Sequence, residues 1–163
     1  MSSRIFKMIN TALLSVACIT LVACKDEVAT VGGTAPDLAT FDLQGNPVSL
    51  QEKQGKPLLL TFWSGSCGIC AEELIEFQEL QSKYPNNMQV LAVNIDGENA
   101  DTQSVVNKRN LVLPVVKDQL NITAERYQLK GTPTSFVINA EGKILNKYEG
   151  LIPEEELEGL FKG

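Results

Sequence analysis

The sequence contains no histidine. That excludes zinc, iron or copper sites built on imidazole, Ser-His and Cys-His nucleophile pairs, and a histidine general base. Basic residues are the minority, 14 against 20 acidic for a net charge of −6, and they form no cluster. Nucleic acid is therefore not expected as a partner. Long apolar runs are also missing: the longest uncharged stretch, Met8 to Cys24, has 17 residues, short of the roughly 20 a membrane-spanning helix needs. What remains for chemistry is carboxylates, lysines, tyrosines, hydroxyls and four cysteines, Cys18, Cys24, Cys67 and Cys70. With 44% apolar and 21% charged residues in 163, the chain has the composition of one globular domain rather than of a disordered, collagen-like or multi-span protein.

The first segment is an address. Arg4 and Lys7 precede the apolar run, and no other charge occurs before Lys25. A basic start followed by a short apolar run is the secretory-signal pattern. The run ends Leu21-Val22-Ala23-Cys24, which resembles the bacterial lipobox, in which the cysteine is acylated and becomes the first mature residue. The expected division is a signal peptide over 1–23, a lipidated Cys24 and flexible tether over 24–34, and a folded domain over 35–163. An uncleaved N-terminal anchor is the competing reading, and both place the domain outside the cytoplasm on a membrane. Cleavage leaves 140 residues with a net charge of −8, so the lipid rather than a basic patch would hold the protein at the membrane. The domain is large enough to build a core without staples.

The body reads as alternating strands and helices. Leu38 to Leu50 predicts a hairpin about Gln44-Gly45-Asn46-Pro47. Pro57 to Trp63 (PLLLTFW) is a continuous apolar run between glycines, as in a strand buried on both faces of a parallel sheet. From Cys67 to Tyr84 the apolar spacing turns helical, and Pro85-Asn86-Asn87 ends it. Met88 to Ile95 predicts a strand, Asp101 to Arg109 a helix, Leu113 to Val116 a short strand and Ile122 to Tyr127 a short helix. Thr134 to Asn139 and Lys143 to Tyr148 predict a second hairpin. Pro153 to Phe161 predicts a closing helix, with Pro153 in its first turn and three glutamates at its positive end. The fold class is α/β, a mixed central sheet flanked by helices, with an N-terminal β-hairpin extension.

The chemistry lies in Cys67-Gly68-Ile69-Cys70. A CxxC pair can be a redox pair, half a metal site or an inert disulfide. Zinc needs about four ligands; the other two cysteines lie in the signal and at the lipidation position, so no metal site and no cofactor are expected. A loop this short constrains the unfolded chain little, which makes a poor structural staple. The redox reading accounts for the surroundings, a buried strand leading to Cys67 and a helix opening there. Free N–H groups at a helix N-terminus stabilise a thiolate and lower its pKa from about 8.5 toward roughly 7 or below. Cys67 is then the nucleophile and Cys70, one turn inside, the resolving thiol.

These residues resemble the thioredoxin superfamily and, within it, the membrane-tethered TlpA/ResA-type thiol–disulfide oxidoreductases. The resemblance spans Ala35-Pro36-Asp37, Gly55-Lys56-Pro57, Phe62-Trp63 ahead of the CxxC, Val93-Asn94, Tyr127, Gly131-Thr132-Pro133-Thr134, Phe136-Val137-Ile138 and Gly142-Lys143-Ile144. It implies a thioredoxin-like fold and an enzyme that reduces disulfides in Cys-containing protein substrates, fed by a membrane thiol–disulfide electron donor. It also implies a cis peptide before Pro133 opposite the cysteine pair, with Thr132 pairing a substrate strand. Trp63, Ser66, Gly68, Ile69, Thr132 and Pro133 are the expected substrate-binding residues. Trp63 has packing beneath the loop as an equal alternative.

The chain departs from the family at three points. Ser66 stands where an aromatic residue usually precedes the first cysteine, Thr61 where thioredoxins carry a buried Asp, and Gly68-Ile69 lacks the common proline. Thr61 cannot take a proton, which leaves water or Glu73 as possible proton acceptor for Cys70; the plain alternative makes Glu72 and Glu73 a solvated first turn. Asp96 and Glu98 are expected in a solvated loop. A monomer is expected. Two other functions compete: a thioredoxin-fold peptide-binding module with a non-cycling cysteine pair, and a thiol peroxidase, which would need an arginine brought near Cys67.

Overall fold

The computed structural model describes residues 28–163; Cys18, Cys24 and the signal boundary lie outside the described residues. A seven-stranded mixed sheet runs in the order β2-β1-β5-β4-β3-β6-β7. The strands are β1 (Thr40–Asp42), β2 (Pro47–Val48), β3 (Leu58–Trp63), β4 (Gln89–Asn94), β5 (Val115–Lys117), β6 (Thr134–Ile138) and β7 (Ile144–Glu149). The helices are α1 (Gly68–Lys83), α2 (Thr102–Arg109), α3 (Ile122–Arg126) and α4 (Glu154–Lys162). β3, β4 and β5 are mutually parallel, whereas β6 joins β3 antiparallel and β7 joins β6 antiparallel. Every element expected from the sequence is present, in the expected order.

The unbroken apolar run of β3 follows from its place between β4 and β6, where all six of its residues are buried. Successive side chains of a strand point to opposite faces, and β3 feeds two cores. Leu59 and Trp63 pack with Leu74 and Phe77 of α1 and Phe161 of α4. Leu58, Leu60 and Phe62 pack with Tyr127 and Phe136 on the other face. Phe62, Tyr127 and Phe136 form an aromatic trio with ring centroids 5.0–5.9 Å apart. The Tyr127 hydroxyl donates to the Pro36 carbonyl at 2.7 Å, fixing the N-terminal hairpin to the core. Tyr127→Phe should cost about 1.5 kcal/mol in urea unfolding, because the buried Pro36 carbonyl then loses its donor while the ring packing stays.

Some boundaries differ from expectation for local reasons. Residues 29–34, expected as part of a flexible tether, are tied to the domain. The Ala29 N–H donates to the Arg126 carbonyl, Gly32 and Gly33 exchange hydrogen bonds with Ile144, and Thr34 bridges Lys143. The short fifth strand begins at Val115 rather than Leu113, since Pro114 has no N–H for a ladder and serves only as acceptor, to Ala92. Pro153 is the N-cap of α4 rather than part of its first turn. A single 3-10 turn over Gln51–Lys53 went unanticipated.

Candidate active site

Three segments meet at the C-terminal end of the parallel strands. β3 ends at Trp63 and delivers the loop Ser64-Gly65-Ser66 to Cys67, which caps α1. The Cys67 Sγ accepts the Cys70 N–H at 3.3 Å, so the sulfur occupies the anion-favouring position at the helix start. Cys67 and Cys70 are joined as a disulfide. Cys70 is 1% exposed, whereas Cys67 is half-buried and reachable from solvent. Sequence spacing alone assigns them different surroundings: one residue ends a loop, the other begins the buried stripe of the helix.

The third segment is the start of β6. The Thr132–Pro133 peptide is cis, and the Thr132 carbonyl oxygen lies 3.9 Å from Cys67 Sγ. Thr132 is half-buried and Pro133 buried, with its carbonyl turned inward to accept the Gly150 N–H at 2.9 Å. Ser66, Gly68 and Ile69 are exposed around Cys67, with Ile69 presenting half its surface. Trp63 corrects the expectation of direct contact: it is fully buried in the core beneath the loop and offers no atom to a substrate. Thr61, also buried, shares a hydrogen bond with the Ser135 hydroxyl at 2.9 Å.

Asp96, expected as a solvated loop residue, is the latch of the cysteine loop. One carboxylate oxygen accepts the Ser64 hydroxyl at 2.6 Å; the other accepts the Gly65 N–H at 2.7 Å and the Asn94 amide at 2.8 Å. Asn94 is buried and held in turn by the Thr102 hydroxyl. Partial desolvation opposes ionisation of Asp96, but these hydrogen bonds outweigh it and hold its carboxyl below the usual range. A side chain at position 65 would stand 3.2 Å from the Asp96 carboxylate and from Val105, so glycine allows the close approach. Asp96→Ala should slow substrate reduction several-fold while moving thermal unfolding by less than about 1 kcal/mol, since the lost contacts order an exposed loop rather than the core.

Glu73 corrects a second expectation. It is buried rather than solvated, and its carboxylate accepts the Ile152 N–H at 2.9 Å. Desolvation pushes its pKa up to about 7, with the Ile152 bond opposing and the Glu76 charge adding to the rise. Glu73 stands one helical turn beyond Cys70, where side chains at i and i+3 share a face. Beside it opens a cavity of about 420 Å³ lined by Ile69, Glu72, Glu73, Glu76, Leu151, Ile152 and Glu154. Of the arginines among the described residues, Arg126 donates to the Asp37 carbonyl and Arg109 ends α2, and neither is hydrogen-bonded to Cys67.

The geometry is that of a cysteine pair presented by a strand–helix junction across from a proline-led strand, and the family model described as AhpC/TSA matches residues 31–147. This chain belongs to the AhpC/TSA family. Thiol-disulfide oxidoreductase ResA of Bacillus thuringiensis subsp. konkukian is 30% identical to it over 139 residues, 85% of this chain and 80% of that one. A crystal structure assigned as thiol:disulfide interchange protein DsbE from Chlorobium tepidum superposes with a TM-score of 0.74 at 32% identity, covering 82% of this chain and 96% of that one. The solution structure of a thiol:disulfide interchange protein from Bacteroides sp. gives a TM-score of 0.70 at 25% identity, covering 82% and 88%. Among the described residues of this AhpC/TSA family member, no helix is long and apolar enough to cross a membrane.

Sequence reasoning missed Asp96, Leu151 and Ile152. Asp96 had a usable signal, because it follows a strand parallel to and beside β3, and side chains after such strands gather at one end of the sheet. Leu151 and Ile152 carry no local sign; only the return of the chain after β7 brings them to α1.

Proposed function

We propose that residues 35–163 form the catalytic domain of an extracytoplasmic thiol–disulfide oxidoreductase, anchored to a membrane by lipid on Cys24 after removal of residues 1–23. The activity is thiol–disulfide exchange. The observation that carries the reading is the asymmetry of the pair, a reachable sulfur at a helix N-terminus bonded to a buried one, beside the Thr132 carbonyl.

In the reducing direction, the Cys67 thiolate attacks one sulfur of a protein disulfide. An S–S bond forms to Cys67 and the substrate's other sulfur leaves as a thiolate. The Cys70 thiol passes its proton to the Glu73 carboxylate, and its thiolate attacks Cys67 Sγ. The second substrate thiolate leaves, and the Cys67–Cys70 disulfide takes the place of the substrate disulfide. Two electrons have moved from the pair to the substrate, and a membrane thiol–disulfide donor returns them. Ser66, Gly68, Ile69, Thr132 and Pro133 frame the approach to Cys67, and the protein acts as a monomer.

The test is the reduction potential of the pair, set against glutathione or dithiothreitol buffers. A value near or below about −250 mV fits a reductase that needs a donor; a value near −120 mV would make the protein an oxidant of secreted thiols.

A further inference from the structure

A second cavity of about 420 Å³, lined by none of the cysteine-loop residues, lies between the β1–β2 hairpin and the segment after β5. Its walls are mainly apolar, including Phe41, Pro47, Val48, Leu120 and Ile122, and Glu52 is the only charged side chain among them. Leu120 is 70% exposed and Ile122 37%. A groove of this kind on an otherwise acidic domain calls for an apolar partner.

The start of the described chain says which partner. Ala29 is hydrogen-bonded to Arg126 at the end of α3, and Ile122, at the other end of that single turn about 6 Å away, lines the groove. Cys24 lies four residues before Val28, so the chain reaches at most about 14 Å between them. An acyl group on Cys24 would therefore hold this part of the surface close to the bilayer.

We propose that the groove between the β1–β2 hairpin and the Gln119–Ile122 segment is the face that rests on the phospholipid bilayer, with Leu120 and Ile122 entering the interface. This rests on the lipid anchor at Cys24 proposed above. The orientation has a consequence for the chemistry. Gln119 and Leu120 follow β5, parallel to β3, and so stand at the same end of the sheet as the Cys67 loop. The groove flanks β1, three strands from β3 and roughly 14 Å across the sheet. Docking there leaves Cys67 uncovered and close above the membrane, within reach of a membrane-embedded donor.

The experiment uses the full chain, expressed with its signal and reconstituted in phosphatidylcholine vesicles. A single cysteine is introduced at Leu120→Cys, or at Val112→Cys as a control, and labelled with an NBD maleimide. Val112 is 79% exposed and lies beside Gln78 of α1. In the oxidised protein Cys67 and Cys70 are tied to each other, and with residues 1–23 removed and lipid on the Cys24 sulfur the introduced thiol reacts alone. The mass of the N-terminal peptide reports lipid on Cys24. With lipid present, label at 120 should shift to the blue and be quenched at least about twofold by doxyl-phosphatidylcholine, with label at 112 unaffected. Lipid present with equal signals at both positions overturns the docking face and leaves the anchor standing. No lipid on Cys24 overturns the anchor, and this proposal with it. Shielding at 120 that depends on protein concentration and not on quencher lipid assigns the groove to a second copy and overturns the membrane assignment.

Discussion

Cys67→Ser abolishes disulfide reduction, by at least roughly a thousandfold, whereas Cys70→Ser halts the reaction after its first chemical step. The two outcomes differ because the two sulfurs do. Cys67 is reachable and sits at the helix N-terminus, accepting the Cys70 N–H. A serine hydroxyl there stays protonated at neutral pH and forms no sulfur–sulfur bond. Cys70 is buried and meets only the mixed disulfide on Cys67. Without it the mixed disulfide persists, and the protein runs as a covalent complex with its substrate on a non-reducing gel. Turnover of insulin or glutathione-linked substrates measures the first effect; the trapped complex, absent from the double variant, measures the second. Disulfide turnover retained in Cys67→Ser would contradict Cys67 as the attacking sulfur, and wild-type protein that reduces neither substrate would move the protein to the peptide-binding reading.

As the proposed acceptor of the Cys70 proton, Glu73 should give the reaction a pH dependence with a definite sign. Burial pushes its carboxyl up to about 7, so the carboxylate that this role needs forms as pH passes through that value. The resolving step therefore accelerates between pH 6 and 8. Glu73→Gln keeps the Ile152 hydrogen bond but cannot take a proton, and should flatten this limb and slow resolution by about a hundredfold. Stability moves the other way. The folded protein holds the Glu73 proton more tightly than the unfolded chain, whose carboxyl titrates near 4.5. This contribution is fully present below pH 4.5 and is lost as pH rises through 7, by about 3 kcal/mol at most, since water in the adjoining cavity screens the charge. Urea unfolding of the oxidised protein at pH 5 and pH 8 should show the loss, and Glu73→Gln should remove it. A wild-type rate flat across this range would leave Cys70 deprotonated by solvent.

Much of this is legible in the amino-acid sequence. The PLLLTFW run points to a strand covered on both faces because nothing charged interrupts it, and its six buried residues are Leu58 to Trp63. Pro85 and Gly142 marked an element's end and a hairpin turn through backbone constraints that act locally. The CxxC carried its chemistry in the switch from strand to helix at Cys67. The side chains whose partners or burial the sequence does not show are those whose environment is set by distant segments. Glu73 reads as an exposed acid near the start of the helix; it falls in the second turn of α1, and only the Leu151–Ile152 return after β7 buries it. Trp63 ends the strand nearest the site, but the strand's alternation turns it into the core. Asp96 reads as an ordinary loop acid until the pairing of β3 with β4 brings it to Ser64 and Gly65.

The central claim is that Cys67 is the attacking sulfur, poised as a thiolate by the start of α1. It is tested most directly by the pH dependence of iodoacetamide alkylation of the reduced protein, with each modified cysteine located by peptide mass. The account predicts that Cys67 alkylates first, with a midpoint near or below pH 7, while Cys70 remains unmodified until well above it. A Cys67 midpoint near the free-thiol value of about 8.5, or equal rates at the two cysteines, would contradict it.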